Sequence, residues 1–169
     1  TTGGHIWKVR SGGGSPQRLT GEAGEYVHVA WSPDGRDLVA ARGAGATRRG
    51  GTLTQNPWWD VVRISADGGA LTRVARVATP VDANPSNAAR RAILQPSWGP
   101  DGRIFYPAMR RSGTANVSAL MSVTRDGLDE RTHLLIPDAD EAVPSPNGRW
   151  VAFQAGDNVY VAALPWNGT

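Results

Sequence analysis

Ala30-Trp31-Ser32-Pro33-Asp34-Gly35-Arg36 recurs as Ser97-Trp98-Gly99-Pro100-Asp101-Gly102-Arg103 and again as Val143-Pro144-Ser145-Pro146-Asn147-Gly148-Arg149. Each copy is followed by an apolar, strand-like run: Leu38-Val39-Ala40-Ala41, Ile104-Phe105-Tyr106 and Trp150-Val151-Ala152-Phe153. The turn chemistry explains the recurrence. Proline presets φ near about −65° at the first corner, Asp or Asn caps the turn through its side chain, and glycine accepts the left-handed conformation that closes the hairpin. Each copy therefore predicts a strand–turn–strand unit. Its structural turn residues are Pro33, Asp34 and Gly35, then Pro100, Asp101 and Gly102, then Pro146, Asn147 and Gly148. Valine at Gly35 or Gly102 should destabilise the turn, because a β-branched residue resists positive φ.

A second motif interleaves with the first. Ile6-Trp7-Lys8-Val9-Arg10 runs into Gly12-Gly13-Gly14, Val61-Val62-Arg63-Ile64 into Asp67-Gly68-Gly69, Leu120-Met121-Ser122-Val123 into Asp126-Gly127, and Val159-Tyr160-Val161-Ala162 into Asn167-Gly168. Three of these turns lead to another short strand candidate: Gln17-Arg18-Leu19-Thr20, Leu71-Thr72-Arg73-Val74 and Arg131-Thr132-His133-Leu134-Leu135. The unit thus has four strands, a to d, with the Pro-Asp-Gly turn between a and b and the glycine turn between c and d. A period of roughly 40–65 residues lies within reach of β-propeller blades. No long stretch shows a helical apolar period, so helix should be scarce. The one ambiguous segment is Ser86 to Leu94, where Asn87-Ala88-Ala89-Arg90-Arg91-Ala92 has the makings of a helical turn.

The fold class expected is all-β: a partial β-propeller of four-stranded antiparallel blades, with about three and a quarter blades present. The chain is read as one domain over residues 1–169, with strands c and d of a first blade in 1–20, a second blade in 24–77, a third in 92–137 and an incomplete fourth in 138–169. Closed propellers typically have about four to eight blades, and open edges invite pairing. Self-association through open blade edges is therefore expected. Longer loops interrupt the pattern at Arg42 to Pro57 and Ala78 to Ala92; the first ends in Pro57-Trp58-Trp59, whose indoles should pack.

Composition sets limits around this reading. With 169 residues, 40% hydrophobic and 20% charged, the chain has enough apolar side chains for one ordinary core, and global disorder is not expected. Its 21 glycines and 12 prolines suit short strands and tight turns. A net charge of +3, with scattered arginines, lacks the basic stripe of a nucleic-acid binder, so no nucleic-acid partner is expected. Without cysteine there is no disulfide or thiolate metal site. No apolar run approaches the ~20 residues of a membrane span. The chain starts at Thr1 rather than methionine, which suggests a processed or cloned fragment.

The Trp-Ser-Pro-Asp-Gly-Arg hairpin, flanked by Ile-Trp-x-Val and Arg-Leu-Thr, resembles the TolB-like propeller repeat from His5 to about Leu164. The final segment, Asp140 to Gln154 followed by Asp157-Asn158-Val159-Tyr160, is similar to the last propeller blades of large bacterial amidohydrolase-related proteins. In those proteins the propeller precedes a metal-dependent hydrolase barrel. The resemblance implies a periplasmic or extracytoplasmic setting and a neighbouring catalytic domain. The partner is then a hydrolase domain of the parent chain or another copy of the chain itself. Asn147 replaces the usual aspartate, a departure the turn should tolerate.

The residues themselves offer little catalytic chemistry. His5, His28 and His133 are the only histidines and lie far apart in sequence, whereas a zinc centre usually draws three or four ligands together. There is no Gly-x-Ser-x-Gly elbow and no P-loop. Asp138, Asp140 and Glu141 form an acidic cluster with calcium-type chemistry, although a solvated loop is the simpler reading. No catalytic residue, cofactor or metal is assigned. The remaining ligand candidates stand at the start of each strand a, which in propellers lines the central channel: His28, Gln95 and Glu141, in matching positions before the three turns. The function expected is a non-catalytic propeller segment that shapes access to, or docks, a metal-dependent hydrolase domain. The alternative is a self-associating scaffold that binds peptide or protein partners.

Overall fold

The computed structural model describes residues 3–43, 58–78, 94–113, 115–136 and 139–164. All the regular structure in these residues is β. The strands are β1 (Trp7–Lys8), β2 (Gln17–Arg18), β3 (Tyr26–Trp31), β4 (Asp37–Gly43), β5 (Trp58–Ser65), β6 (Thr72–Ala78), β7 (Ser97–Trp98), β8 (Ile104–Ser112), β9 (Ala115–Val123), β10 (Glu130–Ile136), β11 (Ala139–Pro144), β12 (Trp150–Ala155) and β13 (Asn158–Ala163). They form four antiparallel sheets of consecutive strands: β1-β2, β3-β4-β5-β6, β7-β8-β9-β10 and β11-β12-β13. The segment 86–93, with its ambiguous helical turn, and most of the two long loops lie outside the described residues.

Strand alternation explains how the sheets stack. Successive side chains of a strand point to opposite faces, and the central strands are apolar on both. In β4, Leu38 and Ala40 join Ile6 and Leu19 in a core against β1-β2. Val39 and Ala41 point the other way, into a core shared with Ile104, Tyr106 and Met121 of the next sheet. In β8 the alternation repeats: Ile104 and Tyr106 face back, while Phe105 joins Leu120, Val151 and Leu164 against β11-β13. Each large side chain fully buried in these layers contributes roughly 1.5–3 kcal/mol of transfer free energy.

Some strands run further than their apolar cores suggest. β8 and β9 pair over nine residues each, from Ile104↔Val123 to Ser112↔Ala115. Pro107 is tolerated within β8 because β7 pairs only as far as Phe105, leaving β8 with β9 as its one paired neighbour beyond it among the described residues. Trp58 and Trp59, read from sequence as the end of a loop, open β5 instead. Trp59 is buried in the core, and the Arg76 guanidinium stands 5.0 Å from the Trp58 ring centroid.

The recurrent turns owe their shape to one clasp. At the first, the Ser32 hydroxyl donates to Asp34 Oδ1 (2.6 Å) and accepts from the Asp37 amide (2.9 Å), while Asp34 Oδ1 accepts from the Arg36 amide (3.1 Å). Gly35, at φ 69°, closes the loop with its amide on the Ser32 carbonyl. Ser145, Asn147, Gly148 and Trp150 repeat this arrangement atom for atom, with the Asn147 amide oxygen in place of a carboxylate. The middle turn differs. Gly99 has no hydroxyl to bridge the loop, and its amide bonds the Arg103 carbonyl, one residue earlier than the Ser32–Asp37 and Ser145–Trp150 closures. A Cβ at Gly99 would lie 2.5 Å from Phe105 Cε2, so the buried Phe105 ring excludes serine there.

Candidate functional site

Of the sequence candidates, His28 and Glu141 are the third residues of β3 and β11, and Gln95 precedes β7. His28 is half-buried in β3 at φ 53°, the sole non-glycine residue with positive φ among the described residues. The pairing of β3 with β4 shifts register between Val27 and Ala30, so His28 lies in a bulge. β11 shifts register against β12 between Ala139 and Glu141, which puts a second bulge beside Glu141, whose side chain is outside the described residues. Gln95 is half-buried two residues before β7. Bulges re-aim side chains and terminate regular pairing, and a left-handed non-glycine residue costs of order 1–3 kcal/mol. The backbone thus departs from regular strand geometry at two of the three positions.

Next to these positions the sheets are joined by specific polar contacts. The Trp98 indole N–H donates to the Ala30 carbonyl across 3.2 Å, fastening β7 to β3. Ser118 on β9 donates to the Ala139 carbonyl of β11 at 2.5 Å. At the turn end, Arg125 reaches from the β9–β10 turn to Asp34 (2.9 Å) and Asp37 (3.2 Å), with its guanidinium 5.0 Å from the Trp98 ring centroid. Asp37 is buried, and its charge is compensated by Arg125 and by Arg63 at 3.2 Å. Backbone contacts reinforce the joint: Gly127, at φ 81°, approaches so closely that a Cβ would lie 3.1 Å from the Val74 carbonyl oxygen of β6. Gly68 in the β5–β6 turn, at φ 86°, packs in ordinary contact with the Arg18 and Leu19 carbonyls, 3.4 Å from a Cβ placed there.

The β9–β10 turn also repeats the clasp of the Pro-Asp-Gly turns. The Thr124 hydroxyl donates to Asp126 Oδ1 (2.6 Å) and accepts from the Asp129 amide (3.1 Å), and Asp126 accepts from the Leu128 amide (3.1 Å). A hydroxyl two residues before an acid that precedes glycine is common to Thr124-Arg125-Asp126-Gly127 and Ser32-Pro33-Asp34-Gly35, while in Ser65-Ala66-Asp67-Gly68 the hydroxyl accepts from the Asp67 amide instead. Reading the glycine turns as a separate class missed the clasp at Thr124.

Electrostatics follow these bonds. The Ser32 hydroxyl, then the Arg36 amide, and beyond them Arg125 hold the Asp34 carboxyl down at about 2. Asp126 is lowered chiefly by the Thr124 hydroxyl, and Asp129 chiefly by Arg131 and then Arg103. The Tyr106 phenol is pushed up by burial and by its hydrogen bond to Glu130.

One arrangement that sequence reading did not find has the residue types of a nucleophile–base pair. Ser122 Oγ lies 2.7 Å from His133 Nε2. Arg103 Nε donates to the same hydroxyl at 2.8 Å. Both Ser122 and His133 are fully buried, however, and the His133 ring packs 5.0 Å from Phe105. Asp129 pairs with Arg103 (2.9 Å) and Arg131 (2.8 Å). The cluster satisfies buried polar groups between β8, β9 and β10, and no substrate reaches it in this arrangement.

Among the described residues no group of three or more His, Asp or Glu side chains is arranged to hold a metal ion. The side chains of the acidic cluster at 138, 140 and 141 lie outside the described residues. No helix among the described residues is long and apolar enough to cross a membrane. No protein-family model matches the sequence, and the search of curated proteins finds no match.

Proposed function

We propose that the chain is a non-catalytic segment of a TolB-like β-propeller that shapes access to, or docks, a metal-dependent hydrolase domain of a larger amidohydrolase-like protein. One observation supports this most. Antiparallel sheets of consecutive strands, two of them four-stranded, follow one another in sequence order, share apolar cores between neighbouring sheets, and carry the recurrent Pro-Asp/Asn-Gly turn. Ser122 and His133 are engaged inside a layer, and Asp34, Asp101 and Asp126 in turns. His28, Gln95 and Glu141 remain the candidates for contacts with a ligand or with the docked domain. The test is the intact reading frame from the source DNA. A frame continuing past Thr169 into a domain with a His-x-His strand end is expected; a stop codon close to Thr169 would sink the docking role.

A second reading, a self-associating scaffold for peptide or protein partners, is favoured by the apolar outer face of β11-β13. There Val143, Trp150, Val159 and Val161 are exposed. A discrete oligomer in light scattering, unchanged over a hundredfold dilution, would select it over the first.

A further inference from the structure

Asn147 stands where the other two copies of the turn carry aspartate, and Gly148 follows it. An asparagine side-chain amide is open to attack by the backbone nitrogen of the next residue, and glycine puts no side chain over that nitrogen. Asn116 and Asn158 are each followed by valine, whose branched side chain shields it. The turn brings the remaining parts together. The Asn147 side-chain oxygen accepts from the Ser145 hydroxyl (2.7 Å) and from the Arg149 amide (3.1 Å). Two donors thus meet at the atom that gains negative charge when a nucleophile adds to the amide carbon. Gly148 lies at φ 66°, with its amide on the Ser145 carbonyl at 2.8 Å. Asn147 is exposed, so water reaches its side chain and ammonia can leave.

We propose that Asn147 is a site of spontaneous modification, which the fold converts to aspartate in preference to isoaspartate. The Gly148 nitrogen loses its proton to a solvent base and bonds to Asn147 Cγ. The Cγ–Nδ2 bond breaks, ammonia leaves, and a succinimide closes. Water then opens the ring at one of two carbonyls. Entry at the main-chain carbonyl of residue 147 breaks its bond to the Gly148 nitrogen and reroutes the backbone through the side chain, giving isoaspartate. Entry at Cγ breaks the newer bond and gives aspartate. The clasp favours the second route, because the Ser145 hydroxyl and the Arg149 amide polarise Cγ through the oxygen they hold. It also fits only that product. A backbone lengthened at residue 147 would pull Gly148 from the Ser145 carbonyl and Trp150 from the Ser145 hydroxyl (3.0 Å), whereas Asp34 makes the same turn with a carboxylate. A carboxylate accepts from these donors more strongly than an amide. Its second oxygen is new: at Asp34 the corresponding atom holds Arg125 of the neighbouring sheet at 2.9 Å, so the conversion creates a cation acceptor at the β11–β12 turn.

The test incubates the purified chain in mildly alkaline buffer at physiological temperature, beside a linear synthetic peptide of residues 141–153 that carries the same sequence without the fold. Tryptic mapping with electron-transfer fragmentation counts asparagine, aspartate and isoaspartate at position 147 over time. Aspartate should dominate in the folded chain. Its ratio to isoaspartate should exceed the peptide's by about tenfold, the effect of one hydrogen bond at the attacked carbonyl. Ser145→Ala should bring the ratio down to the peptide's, and Ser145→Thr, which keeps the hydroxyl, should preserve it. Circular dichroism should confirm that both variants stay folded. As a separate check, Asn147→Asp should melt no lower than the parent chain, since the product keeps the clasp. Three results overturn the proposal: isoaspartate dominating in the folded chain, no conversion there by the time the peptide has fully converted, or an Asn147→Asp variant that melts lower. An unchanged product ratio in folded Ser145→Ala would do so as well, because the clasp would then have no part in the outcome.

Discussion

Replacing Gly99 by alanine tests the account of the middle turn most directly. The added Cβ would sit 2.5 Å from Phe105 Cε2 and 3.0 Å from Asp101 Oδ1, against an ordinary contact of 3.4–4 Å. Phe105 has nowhere to go: it is fully buried, with His133 on one side and Leu120 and Val151 in the same cluster. Either the ring or the turn must move by close to an ångström. Overpacking of this kind costs about 1–3 kcal/mol. For a chain of this size each kcal/mol lowers Tm by about 2–4 °C, so differential scanning calorimetry should find Gly99→Ala melting about 2–12 °C below the parent. Phe105→Leu removes the ring edge and opens space, so it should cost stability alone yet erase most of the Gly99→Ala penalty in the double variant. A double-mutant cycle isolates that coupling, which is expected at about 1 kcal/mol or more. An unchanged melting temperature in Gly99→Ala, or full additivity with Phe105→Leu, would refute the steric explanation.

Other expectations concern the joints between sheets. Gly127→Val combines φ 81° with a Cβ 3.1 Å from the Val74 carbonyl oxygen, and urea unfolding should show a loss of about 2–3 kcal/mol. Arg125→Ala removes two ion pairs and the guanidinium over Trp98, and should cost about 1 kcal/mol, less at high salt. Asp34, held at about 2 against an ordinary 3.8, binds its proton more weakly folded than unfolded. Its contribution is therefore fully present above pH 3.8 and is lost as pH falls through about 2. Carboxyl NMR should find this low titration, and Ser32→Ala should move it upward.

Much of the fold was legible because its signals are local. Pro-Asp-Gly and Asp-Gly mark turns through backbone chemistry that needs no tertiary partner, and β-branched runs between them mark strands. What stayed hidden was decided across sheets. Nothing near Ser97 in sequence announces that Gly99 yields to the Phe105 ring. The absence, among the described residues, of a second partner strand beyond Phe105 is what lets Pro107 sit inside a nine-residue strand. Trp58-Trp59 was read as a loop end because flanking prolines and glycines outweighed the strand that the pairing with Val77 and Ala78 creates. His28, Gln95 and Glu141 were nominated as equivalents from their common spacing to the three turns. The left-handed backbone at His28 was not legible, because a single residue carries no sign of the bulge its partner strand imposes. The Ser122–His133 contact likewise joins two strands whose spacing only the β9–β10 pairing defines.

The two-sided apolar character of β4 and β8 carries a consequence for how the molecule comes apart. Among the described residues, each inner sheet shares apolar cores with a neighbour on both faces, while β1-β2 and β11-β13 share a core on one. Such an array behaves as a one-dimensional chain of coupled units, whose local opening free energy depends on how many neighbours a unit has. Amide protons of Leu38 to Ala41 and of Ile104 to Tyr106 should therefore exchange only when the whole array opens. Those of β13, at the margin of the last layer, should exchange by peeling, leaving the interior layers closed.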